Sequence, residues 1–134
     1  MRALVIIPTY NEAENLKPIT QAIFKFCPDQ VEILVVDDGS PDGTGKLADQ
    51  LSLENPKIHV LHRSGKLGLG SAYITGFRWG LERNYDFLIE MDADFSHPPD
   101  TLPEMIRTLQ NYDVAIGSRY VPGGGVRNWG LGRK

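Results

Sequence analysis

One cysteine in 134 residues is the first limit. With Cys27 alone no disulfide can form within the chain, which fits a reducing compartment, and a solitary cysteine serves as a small packing residue. Long apolar runs are also missing. Nothing approaches the ~18–20 residues that a membrane-spanning helix needs. The apolar start, Ala3 to Ile7, is too short for a signal peptide's apolar region and runs straight into a turn, so it reads as a buried strand. Neither sign of charge dominates. With 14 Lys and Arg against 17 Asp and Glu, net −3, nothing marks a general nucleic-acid binder. Internal repeats and low-complexity linkers are absent too. The length is about that of one domain and suffices for a sizeable core.

What is present alternates. Strand-like runs fall at Ala3–Ile7, Glu32–Val36, Ile58–Leu61, Phe87–Met91 and Val114–Ile116. Several are nearly continuous β-branched or apolar stretches, as expected of parallel strands covered on both faces. Between them lie helical patterns. Leu16, Ile19, Ile23 and Phe26 form the first; Pro18 suits only a first turn, which predicts Asn15 as the N-cap. Leu47, Ala48 and Leu51 form the second, Leu69 to Leu81 the third, and Leu102, Met105, Ile106 and Leu109 the fourth. The alternation predicts an α/β layered fold with a mostly parallel sheet and helices on both faces. Residues 1–134 read as one domain, whose Gly-rich, basic end "GGGVRNWGLGRK" stops without a closing element, as if cut from a longer protein.

In such sheets ligands gather beyond the carboxyl ends of the strands. The segments that follow the five strands are "PTYNE", "DDGSPDGTG", "HRSGKLGLG", "DADFSH" and "GSRYVPGGG". Acidic, Gly-rich and basic groups thus collect at one end, which core packing does not require and a binding site does. In "MDADFSHPPD", Asp92 and Asp94 stand one residue apart after an apolar strand. They can aim at one hard cation such as Mg²⁺ or Mn²⁺, or one at a metal and the other at a sugar hydroxyl; a bare acidic turn would gain nothing from the repulsion. In "DDGS" a carboxylate can accept a base N–H, with Asp38 as the binder while "SPDG" makes a turn. "GKLGLG" fails the phosphate-loop pattern, and Tyr73 occupies the third glycine position of G-x-G-x-x-G. It reads as a flexible loop opening a helix, with Arg63 and Lys66 as candidates near phosphates. Arg119 suits forked recognition of phosphate, Tyr10 can stack on a base or pack, and His97 reads as a loop-shaping group. Glu90 interrupts an apolar strand and must find a basic partner or an exposed edge.

Taken in order, "PTYNEAENL", "VVDDGSPDGTG", "KLGLGSAY", "MDADFSHPP" and "GSRYVPGGGV" resemble the inverting family 2 glycosyltransferases with a GT-A fold, and among them the polyprenol-phosphate (dolichol-phosphate) mannosyltransferases. The resemblance implies transfer of mannose from GDP-mannose to a polyprenyl phosphate at the cytosolic membrane face, with Mg²⁺ or Mn²⁺ as cofactor. It implies a cytoplasmic, peripheral location, with anchoring by further segments or a partner subunit, and no nucleic-acid partner. By motif position, Pro8, Tyr10 and Glu12 would line the nucleotide pocket, and Val36 and Asp38 would contact base and ribose. Asp92, Ala93 and Asp94 would handle donor and metal, with Asp94 the more direct ligand, and Arg119 would face phosphates. Some relatives carry a metal-binding Gln where this chain has Ser96, whose shorter side chain reaches less far. Two other classes compete. A phosphoacceptor signalling domain wants its acidic pair after the first strand and a Lys after the fifth, and neither is found. A nucleotide-sugar-binding domain without turnover fits the same motifs.

Overall fold

The computed structural model describes residues 2–65, 67–109, 114–117 and 126–129. Four strands, β1 (Ala3–Thr9), β2 (Val31–Asp37), β3 (Ile58–His62) and β4 (Phe87–Glu90), form one sheet. All its pairings are parallel, in the order β3-β2-β1-β4. The period-two alternation of strand side chains explains both faces. Ala3, Val5, Ile7, Val31, Ile33 and Val35 face α1 (Ala13–Phe26), α2 (Thr44–Glu54) and α4 (Leu102–Leu109). Leu4, Ile6, Leu34 and Val36 face α3 (Leu69–Glu82). Burial on both sides is why these strands read as unbroken apolar runs. Cys27 packs in the first of these two cores, and burial raises its thiol pKa.

Two expectations need correction. Asn15 does not cap α1: the helix begins at Ala13, Glu12 takes the cap position, and Pro18 falls inside it. The cap comes from elsewhere. The N–H groups of Asn11, Glu12 and Ala13 donate to Ser40 Oγ (3.0 Å), Thr44 Oγ1 (3.0 Å) and Asp42 Oδ2 (3.2 Å), 29 to 32 residues away. Asp42 Oδ1 also accepts the Thr44 N–H at 3.0 Å, at the start of α2. One loop therefore serves two helix N-termini, whose first N–H groups have no partner inside the helix. Pro18 is exposed, so water can replace the bond it forfeits.

The second correction concerns the chain's end. The fifth strand, β5 (Val114–Gly117), does not join the four-stranded sheet. It pairs antiparallel with β6 (Val126–Trp129), an element no periodicity in that Gly-rich stretch announces.

Candidate functional site

The strand order reverses at β1. The chain steps outward from β1 to β2 and β3, then returns on the other side of β1 as β4. Such a reversal opens a crevice beyond the carboxyl ends of the strands. Register aligns those ends, with Thr9 opposite Asp37 and Asp37 opposite His62. The crevice is flanked by the "PTYNE" segment after β1 and the "DADFSH" segment after β4.

Asp92 and Asp94 are held very differently. Asp92 is partly buried; its Oδ1 accepts the Tyr73 hydroxyl at 2.8 Å, and Ser96 Oγ stands 3.4 Å from its Oδ2. Its backbone N–H donates to His97 Nδ1 at 3.2 Å. His97 thus shapes the loop, and the nitrogen turned toward Asp92 is already engaged. Asp94 is exposed, and its Oδ1 accepts the Ser96 N–H at 3.0 Å. Phe95 between them takes φ 65, a left-handed conformation that bulky residues rarely adopt and that turns the chain back on itself. The Ser96 side chain and backbone lower the Asp94 carboxyl below the ordinary Asp range. Burial, then the bonded Asp92 carboxylate, raise the Tyr73 phenol far above the ordinary Tyr range, so it donates at any working pH.

The donor set fits a hard divalent cation. It is all oxygen, with one carboxylate fixed and the other open to solvent. Among the described residues no group of three or more His, Cys, Asp or Glu stands together to hold a metal. Substrate oxygens and water would have to complete the shell, which is the habit of Mg²⁺ and Mn²⁺ at phosphate-handling sites.

Asp37 and Asp38 divide their labour. Asp37 accepts the Thr9 hydroxyl (2.7 Å), the Ser40 hydroxyl (2.7 Å) and the Ser40 N–H (3.1 Å), tying β1 to the turn after β2. Asp38 meets Arg63 in a two-pronged pair at 2.6 and 2.9 Å, and also accepts the Leu67 N–H at 3.3 Å. Only 9% of the Arg63 side chain and 8% of Asp38 are exposed. Arg63 also donates to Ser71 Oγ at 2.7 Å. Its placement near phosphates is therefore replaced by a role bracing Asp38 and the start of α3. Lys66 and Arg119 lie outside the described residues.

The remaining candidates are placed as follows. Pro8 lies in β1, beyond the last residue paired with β4, so its missing N–H costs the sheet little. Tyr10, the residue after β1, is 37% exposed. Glu12 sits at the start of α1 and accepts the Asn15 side-chain amide at 3.1 Å. Val36 and Ala93 are buried in the two cores, which leaves only their backbone for a ligand. Glu90 resolves in favour of an exposed edge: β4 borders the sheet, and partial burial followed by the Asp92 charge push its carboxyl up. Sequence reasoning missed the partnerships of Tyr73 and Arg63. The signal for Tyr73 was its place on one helical face with Ala72, Gly76 and Gly80.

Known proteins share this chain's sequence and fold. The family model described as Glycosyl transferase family 2 matches residues 4–134. Polyprenol monophosphomannose synthase of Mycolicibacterium smegmatis is 61% identical over 130 residues, covering 96% of this chain and 49% of that protein. Undecaprenyl-phosphate mannosyltransferase of Micrococcus luteus is 56% identical over 134 residues, covering 100% of this chain and 55% of that protein. Dolichol-phosphate mannosyltransferase of Pyrococcus furiosus is 46% identical over 136 residues, 100% of this chain but 38% of that protein. The chain spans about half the length of these curated relatives, or less. Among solved structures, mannosyltransferase PcManGT from Pyrobaculum calidifontis in complex with GDP-Man and Mn²⁺ has a TM-score of 0.69 at 27% identity. It covers 81% of this chain and 32% of its own. S. aureus TarS, at 22% identity, shares the fold with a TM-score of 0.65, over 84% of this chain and 33% of its own. Since the family match runs from residue 4 to residue 134 and the superposition covers most of the chain, the architecture is the GT-A fold and this chain belongs to glycosyl transferase family 2.

Proposed function

We propose that this chain is the donor-binding catalytic domain of an inverting glycosyltransferase that moves mannose from GDP-mannose to a polyprenyl phosphate. The observation that carries the reading is the carboxylate pair beyond β4, one member fixed and the other open, at the switch point of a parallel sheet. The names of the three curated relatives and the GDP-Man and Mn²⁺ bound by PcManGT support the substrate and metal.

The reaction is a single in-line displacement at the anomeric carbon, with the lipid phosphate oxygen as nucleophile. That oxygen is already anionic near neutral pH, so no protein general base is required. The described residues suit this. Asp37 is tied to the turn, Asp38 is bonded by Arg63, and His97 Nδ1 accepts the Asp92 N–H. Asp94, with Asp92, would hold Mg²⁺ or Mn²⁺; Ser96 contributes by bonding to both carboxylates rather than by reaching the ion itself. When bound, the cation offsets charge on the departing diphosphate. Tyr10 and Glu12 line the nucleotide side, and Asp38 receives a base or ribose group by sharing its oxygens with Arg63. By its motif position Arg119, outside the described residues, would face the phosphates. Positioning and charge stabilisation carry the rate.

The acceptor places the parent protein at the cytosolic face of a membrane. Among the described residues no helix is long and apolar enough to cross one; the proposal is attachment through further segments or a partner subunit.

The test is a transfer assay on the full-length protein with labelled GDP-mannose and a short polyprenyl phosphate in detergent. The expected product is the β-linked polyprenyl phosphate mannose, formed only with Mg²⁺ or Mn²⁺, and Asp94→Ala should lose at least about 100-fold in kcat/KM, a size typical of losing a charge-stabilising group. Preference for a UDP-sugar, or release of free mannose alone, would overturn the reading.

A further inference from the structure

We propose that Tyr73 is a positioning residue for Asp92, and that α3 is seated on the sheet so as to deliver its hydroxyl there. The inference rests on the metal-assisted donor binding proposed above. It starts from the repulsion within the acidic pair. Two carboxylates one residue apart turn away from each other unless something holds them, and a held carboxylate presents its second oxygen in a fixed direction. Asp92 is held at its Oδ1 by the Tyr73 hydroxyl, 2.8 Å away. A lysine or arginine at that place would hold Asp92 equally well but would cancel the charge a cation needs. A neutral phenol anchors the carboxylate and leaves its charge in place.

The seat of α3 makes the contact reproducible. Gly76 and Gly80 lie so close to the sheet that an added Cβ would meet Ile6 Cγ2 and Leu88 Cδ2, each at 2.5 Å. Tyr73 is one turn before Gly76 on the same face, 8% exposed, with its ring beside Phe77 at 6.5 Å between centroids. The ring is fixed by the core and the hydroxyl emerges at the carboxyl end of β4. Asp94 is exposed and is bonded by Ser96 within its own turn, whereas Asp92 is anchored from α3, so the two acids are unequal before any ligand arrives.

The experiment is calorimetric titration of GDP, with Mn²⁺ and with EDTA, into the parent, Tyr73→Phe, Asp92→Asn and the double variant. Tyr73→Phe keeps the buried ring and should melt close to the parent without ligand. Its Mn²⁺-dependent affinity for GDP should fall about tenfold, as for loss of a partner that orients a ligating group. Its affinity in EDTA should not change, and it should add no loss in the Asp92→Asn background. Unchanged Mn²⁺-dependent affinity would overturn the proposal, and so would an equal loss in EDTA, which would assign Tyr73 to packing alone. If the parent itself binds GDP without any Mn²⁺ dependence, the donor-binding reading falls and the role of Tyr73 falls with it. That outcome is distinct from a parent that shows the dependence and a Tyr73→Phe variant that matches it.

Discussion

Glu32 shows how much one side chain can organise away from the crevice. Its Oε1 accepts the Tyr85 hydroxyl at 2.7 Å and lies 2.7 Å from His59 Nε2, while Arg2 reaches Oε2 at 3.3 Å. Arg2 also lies over the Tyr85 ring, 4.1 Å from its centroid. Burial alone would raise the Glu32 pKa, but the bonds from His59, Tyr85 and Arg2 outweigh it and the carboxyl is lowered. Burial and the same carboxylate push Tyr85 up to about 12. The sign follows from the direction. A carboxyl whose folded pKa lies below its unfolded value of about 4.3 contributes fully above that value, and loses its contribution as pH falls through the folded one. Glu32→Gln should therefore cost about 1–2 kcal/mol at pH 7, the scale of hydrogen bonds to a charged group, and less as the pH drops toward 3.5. Urea midpoints of both proteins across that range check it. A gap that stays constant with pH would show that shape rather than charge matters at this position. None of this was legible in the sequence, where Glu32 reads only as the first residue of a strand, because its partners are separated from it by 27 to 53 residues.

The elements themselves were largely legible, because both of their signals are local. Unbroken apolar runs gave β1 to β4, and the stripes beginning at Leu47, Leu69 and Leu102 gave α2, α3 and α4 within a few residues. The misses share a cause. The start of α1 is set by Ser40, Asp42 and Thr44, 29 to 32 residues away, and β6 is a four-residue strand, "VRNW", defined by pairing with β5, so neither shows in local periodicity alone. The glycines of α3 belong to the same lesson: a helix propensity scale counts them as weak points, each about 1 kcal/mol worse than alanine, whereas packing requires them. Gly76→Ala should lose about 1–2 kcal/mol net, because Ile6 is β-branched, fully buried in the central strand and cannot swing aside. Gly80→Ala should stay within about 1 kcal/mol of the parent, since the atoms it meets, Leu88 Cδ2 at 2.5 Å and Leu4 Cδ2 at 3.0 Å, are the far ends of unbranched-at-Cβ side chains, and Leu88 is partly exposed. Only Gly76→Ala should also weaken Mn²⁺-dependent GDP binding, by shifting the turn that carries Tyr73. Chemical denaturation and calorimetry on the two variants check the order, and a larger loss at Gly80 would contradict this account of how α3 is seated.

Over the whole molecule the parallel sheet separates two kinds of chemistry. Because every strand in it points the same way, all four carboxyl ends meet on one side and all four starts on the other. The sequence revealed the first side, since loops after successive strands could be read off in order; it could not reveal which acids were spent on structure, since Asp37 and Asp38 look alike until Thr9 and Arg63 arrive from other elements. At the starts, Arg2, Glu32, His59, Trp79, Arg83 and Tyr85 form a layer of charge and aromatic rings, with Arg83 4.1 Å above Trp79 and His59 5.0 Å from it. The sheet's length between the two sides makes them energetically independent, as substitutions more than ~7–10 Å apart without shared partners add to within about 0.5 kcal/mol. Tyr85→Phe should lower the melting temperature by roughly 2–6 °C, the effect of about 1 kcal/mol in a domain of this size, and leave Mn²⁺-dependent GDP affinity within about twofold. Asp94→Ala should do the reverse, melting near the parent without ligand and losing the rise in melting temperature that the proposed binding of GDP and Mn²⁺ would give the parent, a rise of about 2.7 kcal/mol in stability at 100 times Kd. The double variant should show both losses at full size and no interaction between them. Thermal melts of all four proteins, with and without GDP and Mn²⁺, are the measurement, and a Tyr85→Phe protein with sharply weakened nucleotide affinity would mean that the two ends of the sheet are coupled.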